Sequence, residues 1–227
     1  MNFNLTNTTG AASAHIKAYE ISKVTFDGIE LKTGTSQNGR DWKALQLNFK
    51  GDGWTFDPMF FCPGEDGENR VTGETDGRKW ELPSAMEELI HNVGHFMHII
   101  APENFEKIKG KISLELPKEF DKLVEILKKA TEKSIGKEFF VKTVANNQGF
   151  ANLPRVVKIN SKSGESFLGS NWISVDGKDL SFTANELKKK AALASMKPSS
   201  MKDDKDDEDD LEDDELKTDG ELTLDDL

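Results

Sequence analysis

Several features that would assign this chain to a particular environment are scarce or absent. Cys62 is the single cysteine among 227 residues, so no internal disulfide can form, which is typical of a reducing cytoplasm. No run of 18 apolar residues occurs, so we expect no membrane span. The first 14 residues have neither a charged side chain nor a long apolar stretch, which argues against a secretory signal. We therefore expect a cytoplasmic protein.

A large net charge is also missing from most of the chain. Residues 1–197 carry 26 acidic and 27 basic side chains, a net charge of +1. Residues 198–227 carry 15 Asp and Glu against 3 Lys, a net charge of −12, so they account for the net charge of −11 of the whole chain. A run of this composition predicts a disordered acidic tail, which we place at 197–227.

The acidic tail contains hydrophobic residues that a solubility tail does not need. Leucines recur among the acids, and the chain ends Leu-Thr-Leu-Asp-Asp-Leu. A short segment of acids and leucines can dock into an apolar pocket with a basic rim on a partner. The predicted partner-binding residues are Leu222, Leu224, Asp225, Asp226 and Leu227.

Motifs for catalysis are scarce as well. No paired carboxylates and no Ser/His/Asp arrangement stand out, so we expect neither an enzyme nor a cofactor. The segment Gly34–Asp41 approaches the pattern of a phosphate-binding loop, but Arg40 stands where Lys is needed and Asp41 where Ser or Thr would hold the metal. The favoured interpretation is a turn between two strands.

Three histidines raise the question of a metal site. They are spaced so that they share one face of a predicted helix, and two His one turn apart can bind zinc. The pattern lacks the Glu of a zinc protease, and we predict a solvated polar face without a metal. These residues are His91, His95 and His98.

Alternating hydrophobic residues predict strands in the first third of the chain. A long strand is expected from Ala14 to Lys32, with a bulge at Asp27–Gly28. Residues 42–50 alternate cleanly and predict a half-buried strand, and a Gly51–Gly53 turn leads into a returning strand that Pro58 interrupts. We expect residues 63–81 to form a long loop.

Helices and further strands follow. Ser84 and Glu87 form a capping box that begins one helix, and Lys118–Lys133 is a second, amphipathic one, so 84–135 is a helical insertion. Two strands flank a turn near Asn146, and a second capping box at Thr183 begins a short helix. The order of three strands, helices and two strands predicts a mainly β (α+β) chain. A helical insertion between the third and fourth strands is typical of an OB-fold-like antiparallel barrel over 15–196. A β-sandwich with a helical insertion is the alternative.

Aromatic and basic residues on the predicted strands form a candidate binding face. Trp42 lies on the polar face of its strand, where a large ring needs a partner, and aromatic rings stack nucleic-acid bases without regard to sequence. The alternative is that these rings only cover hydrophobic surface. The candidate DNA-binding residues are Arg40, Trp42, Lys50, Trp54, Phe56, Phe60, Phe140, Lys142, Phe150, Arg155 and Lys158.

A polar arm (1–14), an OB-like body and an acidic tail with a hydrophobic end together resemble the single-stranded DNA-binding proteins of bacteria and, more closely in layout, of tailed phages. The resemblance implies that the body binds and protects single-stranded DNA during replication, recombination and repair. It also implies a tail that recruits partners such as a polymerase, helicase or primase and competes for the DNA groove.

The same resemblance would place a phage-encoded protein in the host cytoplasm, and it leaves self-association open. This chain departs from the resemblance in lacking the Pro-Phe or terminal Phe that many such tails carry. The alternative function is an acidic-tailed protein-interaction or chaperone-like module without its own nucleic-acid groove.

Overall fold

The structure is a computed structural model that describes residues 16–111, 113–146 and 148–195. The predicted arm (1–14) and acidic tail (197–227) lie outside the described residues. The strands are β1 (Ile21–Thr35), β2 (Asp41–Lys50), β3 (Thr55–Phe56), β4 (Met59–Phe61), β5 (Val71–Thr75), β6 (Arg78–Leu82), β7 (Glu138–Lys142), β8 (Val144–Ala145), β9 (Ala151–Asn152), β10 (Val157–Ile159), β11 (Ser166–Leu168) and β12 (Ile173–Ser174). The helices are α1 (Ala85–Ile100), α2 (Pro102–Ile108), α3 (Phe120–Thr131) and α4 (Ala184–Ser195).

The first strand organises the main sheet because it pairs with a different neighbour along each half. Its N-terminal part pairs with β7 and its longer C-terminal part with β2, both antiparallel. The register with β2 shifts between Phe26 and Gly28, and Gly28 has a φ of +125° that an L side chain rarely adopts. The predicted bulge is therefore confirmed. A bulge bends its strand, which lets β1 turn from one neighbour to the other.

Tight connections place β3 and β4 along β2. The Gly51 N–H donates to the Trp54 carbonyl over 2.9 Å, which closes the predicted turn. Asp57 and Pro58 then separate β3 from β4, as expected for a proline in a strand, while the Pro58 carbonyl still accepts from the Leu47 N–H at 3.0 Å. Both short strands are thus held against the same partner.

The segment 63–81 was predicted to be a long loop, and this prediction is wrong. It contains all but the last residue of a β-hairpin, in which β5 and β6 pair antiparallel around Asp76 and Gly77. Both turn residues have positive φ, at 52° and 72°, as a type I′ turn requires. Every side chain of β6 is exposed, so no buried face imposes an alternating hydrophobic pattern that the sequence could reveal.

The helical segment begins as predicted. The Glu87 N–H donates to Ser84 Oγ (3.2 Å), and Glu87 Oε2 accepts from the Ser84 N–H (2.8 Å), so the capping box is complete. After α1 the chain forms α2, a helix that the sequence analysis did not predict, with Pro102 in its first turn where a missing N–H costs nothing. The predicted second amphipathic helix corresponds to α3.

The hydrophobic core lies between the main sheet and these helices. Trp172, fully buried just before β12, stacks on Phe96 of α1 with the two rings nearly parallel and their centroids 6.4 Å apart. Phe26 at the bulge meets Phe96 edge-on at 5.6 Å. One face of α1 is buried against this core. Its buried residues are Leu89, Val93, Phe96, Met97 and Ile100.

The main sheet is open in the described part of the chain. Its order is β12-β7-β1-β2-β3, with β4 also on β2, and no pairing among the described strands joins β12 to β3 or β4. Two-stranded pairs of β5 with β6, β8 with β9 and β10 with β11 accompany it. The structure therefore shows mainly antiparallel β structure with four helices, and the predicted closure into a barrel is not observed. None of the helices described combines the length and apolarity that crossing a bilayer requires.

Candidate nucleic-acid interface

The sheet face that points away from the core carries partly exposed apolar side chains. Successive residues of a strand point to opposite faces, so Trp42 lies on the outer face of β2. β4 pairs with β2 so that Phe61 lies across from Ala44 and Met59 across from Gln46, which places both side chains on the same outer face. Trp42, Met59 and Phe61 are called the outer-face cluster below.

Trp42 is held in place by two neighbours. Its ring meets Phe61 at a centroid distance of 5.6 Å and an angle of 71°. The indole also lies over Gly34, its partner on β1, where a β-carbon would come within 2.5 Å of the ring. A glycine is therefore needed there for the indole to lie against the strand. Because the ring is already ordered, its binding to a flat ligand would cost little conformational entropy.

A groove runs along β4 beside this cluster. One wall is formed by Met59 and Phe61, and the other by the hairpin of β8 and β9, including Asn152. Phe150, at the tip of this hairpin, is 67% exposed, the largest exposed fraction among the large hydrophobic side chains described. Its backbone is fixed because the Phe150 N–H donates to Asn146 Oδ1 at 2.9 Å. We call this the β4 groove.

The β4 groove continues past its aromatic end toward an arginine. Met59, Phe61 and Asn152 line both parts of it, and the second part is lined by Arg155 and by Glu88 of α1. Aromatic rings at one end and a guanidinium further along are the groups that a base and a phosphate require.

The charge around the groove is mixed. Arg40 and Arg155 are exposed, and neither forms an ion pair with another described residue. Lys43 forms an ion pair with Asp121 of α3 at 2.7 Å. The carboxylates of Asp57 and Glu88 also line the groove. The described lining of the groove thus has one arginine and two carboxylates beside its aromatic side chains.

Three of the predicted aromatic side chains are buried or half-buried. Phe56 is buried across from Phe49, and Phe60 packs on the core with its ring centroid 6.1 Å from that of Trp172, although both residues also line the groove. Trp54 is half-buried and covers Gly51. The tight turn after β2 fixes the register in which β3 pairs with β2. Phe56 therefore points to the same core face as Phe49.

The prediction that Lys142 pairs with a phosphate is also wrong. Its side chain is fully buried on β7, and its Nζ donates to the Ser181 carbonyl at 2.9 Å and lies 3.4 Å from Glu186 Oε1. Phe140, on the same face of β7, is half-buried and in close contact with Gly177. The chain that leads into α4 therefore covers this face of β7.

Two further predicted residues are exposed but lie apart from the residues that line the groove. Lys50 pairs with Asp27 across the bulge at 2.7 Å. The stem of Lys158 lies over Gly169, where a β-carbon would come within 2.7 Å of it. Of the predicted set, the groove is lined by Phe56, Phe60, Phe150 and Arg155. Trp42 packs against Phe61 at its edge, and Arg40 is two residues from Trp42 in the chain.

Met59 and Phe61 were not predicted from the sequence. The signal was present, because residues of β4 alternate between faces and Phe60 is the one that points to the core. What the sequence did not reveal was the pairing of β4 with β2, since Pro58 interrupts the alternation between β3 and β4.

The three histidines of α1 do not share one environment. His91 Nε2 lies 3.0 Å from Ser166 Oγ, and His98 is exposed next to Phe105. His95 packs edge-on against Trp172 at 5.9 Å, and burial lowers the pKa of its imidazole. The expected solvated face is therefore wrong for His95. Among the described residues, no three His, Cys, Asp or Glu side chains are arranged to hold a metal ion.

An arginine anchors the exposed hairpin to the start of α1. Arg70 binds the carboxylate of Glu87 with two of its nitrogens, one of them Nε at 3.0 Å, and donates to the Gly164 carbonyl at 2.8 Å. Hydrogen bonding from Arg70 lowers the pKa of Glu87 from its usual 4.5 to about 2. The same carboxylate caps α1, so one ion pair fixes three segments of chain.

Comparison of the chain with protein-family models, with curated proteins and with solved structures found no match.

Proposed function

We propose that this protein binds single-stranded DNA without sequence preference along the β4 groove. The observation that carries the proposal is the exposed aromatic surface of Phe61 and Phe150, with Trp42 packed against Phe61. Base stacking is tolerant of sequence because every base has a π-face, and each stacked base contributes on the order of 1–3 kcal/mol. Duplex DNA presents its bases already stacked, so it binds more weakly.

The phosphates are bound by Arg155 and Arg40. Few cations line the groove, so the salt dependence of binding is set by a small number of phosphate contacts. In this proposal the protein is a binding protein of the cytoplasm rather than an enzyme. It covers single strands during replication, recombination and repair, and its acidic tail recruits partner proteins.

Phe61 provides the sharpest test because sequence analysis did not single it out. Phe61→Ala should weaken binding to oligo-dT by roughly 5- to 150-fold, the equivalent of one lost stacking contact. Fluorescence anisotropy of a labelled oligonucleotide measures this. The matched control is Phe167→Ala, which removes an exposed ring of β11 that does not line the groove and should leave affinity unchanged.

The rival function, an interaction module without a nucleic-acid groove, predicts a different result. In that case oligo-dT would not bind to the wild-type chain at low salt, and titration would leave the tryptophan fluorescence unchanged. Equal losses for Phe61→Ala and Phe167→Ala would show instead that binding occurs away from the β4 groove.

A further inference from the structure

A second groove lies among α1, α2 and α3, on a face of α1 other than the one that lines the β4 groove. Glu88 and Asn92 of α1 line the β4 groove, whereas Ile90 and Val93 line this second groove, and Leu89 lines both. Its lining residues include Met86, Ile90, Val93, Met97, Phe105 and Ile108. We call it the helical groove.

The helical groove has the dimensions of a site for a small molecule. Its volume is about 410 Å³, and 14 residues line it. Pockets for small molecules have volumes of roughly 300–1,000 Å³, whereas a specific protein–protein interface uses roughly 20–30 residues on each side. The lining follows α1 from Met86 to Met97, a distance of roughly 16 Å along the helix axis. The groove therefore suits one elongated ligand.

The lining is apolar except for one cation. Among the described residues, Lys109 is the only charged side chain that lines the helical groove, and its ammonium lies 5.7 Å from the centre of the Phe105 ring. Lys109 forms no ion pair with a described residue, and neither Glu103 nor Glu106 of α2 lines the groove. Such a site is complementary to a ligand that is apolar along its length and anionic at one end.

The helical groove also contains open space that the packing of α1 does not require. Gly94 lies within α1 and lines the groove, and a β-carbon built on it would have no neighbour within 4 Å outside the backbone of its own helix. Glycine lowers the stability of a helix relative to alanine or leucine, so helix formation does not account for it either. Ile90, which lines the same groove, is 60% exposed. A bound alkyl chain would fill the space at Gly94 and cover Ile90.

We propose that the helical groove binds a free fatty acid, with the alkyl chain along α1 and the carboxylate toward Lys109. The chain has no hydrogen-bonding group to leave unsatisfied, and it removes the apolar surface around Ile90 from water. The carboxylate pairs with the Lys109 ammonium, which has no other anionic partner among the described residues. This site does not depend on the proposed DNA binding, because α1 separates the two grooves.

Titration of the full-length chain with dodecanoate tests the proposal, since the extended probe is about as long as the groove. NMR of labelled Ile and Met methyl groups, below the concentration at which the probe forms micelles, reports where it binds. The signals of Met86, Ile90 and Met97 should shift saturably, and that of Met59, in the β4 groove, should not. Dodecyltrimethylammonium has the same chain but a positive head, so it should bind several-fold more weakly.

Two variants test the two parts of the ligand. Lys109→Gln should weaken dodecanoate binding roughly 2- to 5-fold, the effect of one solvated ion pair. The matched control is Lys129→Gln, which removes an exposed lysine of α3 that does not line the groove and should leave the affinity unchanged. Gly94→Leu fills the open space and should weaken binding at least about 10-fold, the loss of roughly two buried methylenes, in a chain that circular dichroism shows to be folded.

Each other outcome overturns the proposal. Without saturable shifts, or with unchanged binding to folded Gly94→Leu, no fatty acid binds in the helical groove. Equal affinities for the two head groups, or equal effects of Lys109→Gln and Lys129→Gln, mean that Lys109 does not select the head. Binding to phosphatidylglycerol vesicles without binding to dodecanoate means that the surface contacts a membrane.

Two further measurements identify a different occupant and separate this proposal from the DNA-binding one. Helical-groove signals that change on dilution without any ligand mean that a second copy of the chain occupies the groove, which also overturns the proposal. Adding oligo-dT shifts Met59 only if the proposed DNA binding is right, so the two proposals fail independently.

Discussion

At the scale of a single residue, the position of Trp42 depends on the glycine across from it. Trp42→Ala should weaken binding to oligo-dT by about 1–3 kcal/mol because it removes a stacking ring. Trp80→Ala is the matched control, since Trp80 also covers a glycine, Gly73, but lies on the β5–β6 hairpin. Fluorescence anisotropy measures the affinity of both variants for oligo-dT, and circular dichroism checks that they are folded. Unchanged affinity in folded Trp42→Ala would remove this residue from the interface.

Lys142 illustrates a charge with a structural role. Lys142→Met leaves Glu186 facing the core without its cation, so we expect a loss of about 3 kcal/mol in the free energy of unfolding. The double variant Lys142→Met/Glu186→Gln should lose less, because the uncompensated carboxylate is gone. Urea titrations followed by circular dichroism measure both values. Under conditions in which both variants are folded, their affinity for oligo-dT should equal that of the wild type. A loss of affinity would return Lys142 to the DNA interface.

At the scale of elements, the N-terminus of α1 depends on an ionised Glu87. Its pKa is about 2 in the folded chain against 4.5 ordinarily, so between these values the unfolded chain binds more protons than the folded one. The ion pair and cap therefore stabilise the fold fully above pH 4.5, and this contribution is lost as the pH falls toward 2. Unfolding free energies measured between pH 6 and 3 should fall less steeply for Glu87→Gln than for wild type. The same dependence of the unfolding free energy on pH in wild type and Glu87→Gln would contradict this role of Glu87.

At the scale of the whole molecule, the charge is divided between a near-neutral body and a tail of net charge −12. A tethered acidic segment should compete with DNA for the cations of the groove. Deleting residues 198–227 should therefore tighten DNA binding, most at an ionic strength of about 0.01 M, where the Debye length is about 30 Å. Binding isotherms of both chains over a salt series measure the effect.

The pair Leu224→Ala/Leu227→Ala separates charge from hydrophobic contact in the tail. It keeps every acid, so DNA affinity should hardly change, whereas capture of a replication protein by the chain should fall. Should the truncated chain bind DNA no better than the full chain at low salt, competition for the groove is not a function of the tail.

Much of the local structure followed from the sequence by itself. The bulge at Gly28, the Gly51–Gly53 turn and both capping boxes are confirmed, including the second, in which the Thr183 N–H donates to Glu186 Oε2 at 2.6 Å. These features depend on residues within a few positions of one another, so glycine's tolerance of positive φ and a hydroxyl's reach to a backbone N–H determine them. The charge division between body and tail is likewise a property of the sequence.

Only the tertiary structure decided which aromatic and basic residues face solvent. Alternation shows that Phe56 and Phe60 share a face, but not that α1 and Trp172 cover that face. Lys142 has the sequence context of a surface lysine, yet the segment that leads into α4 covers it from about 40 residues further along the chain. The β4 groove exists because β4 and the tip of the β8–β9 hairpin, far apart in sequence, lie side by side. Burial depends on which distant segment packs on a face, and local patterns do not encode that choice.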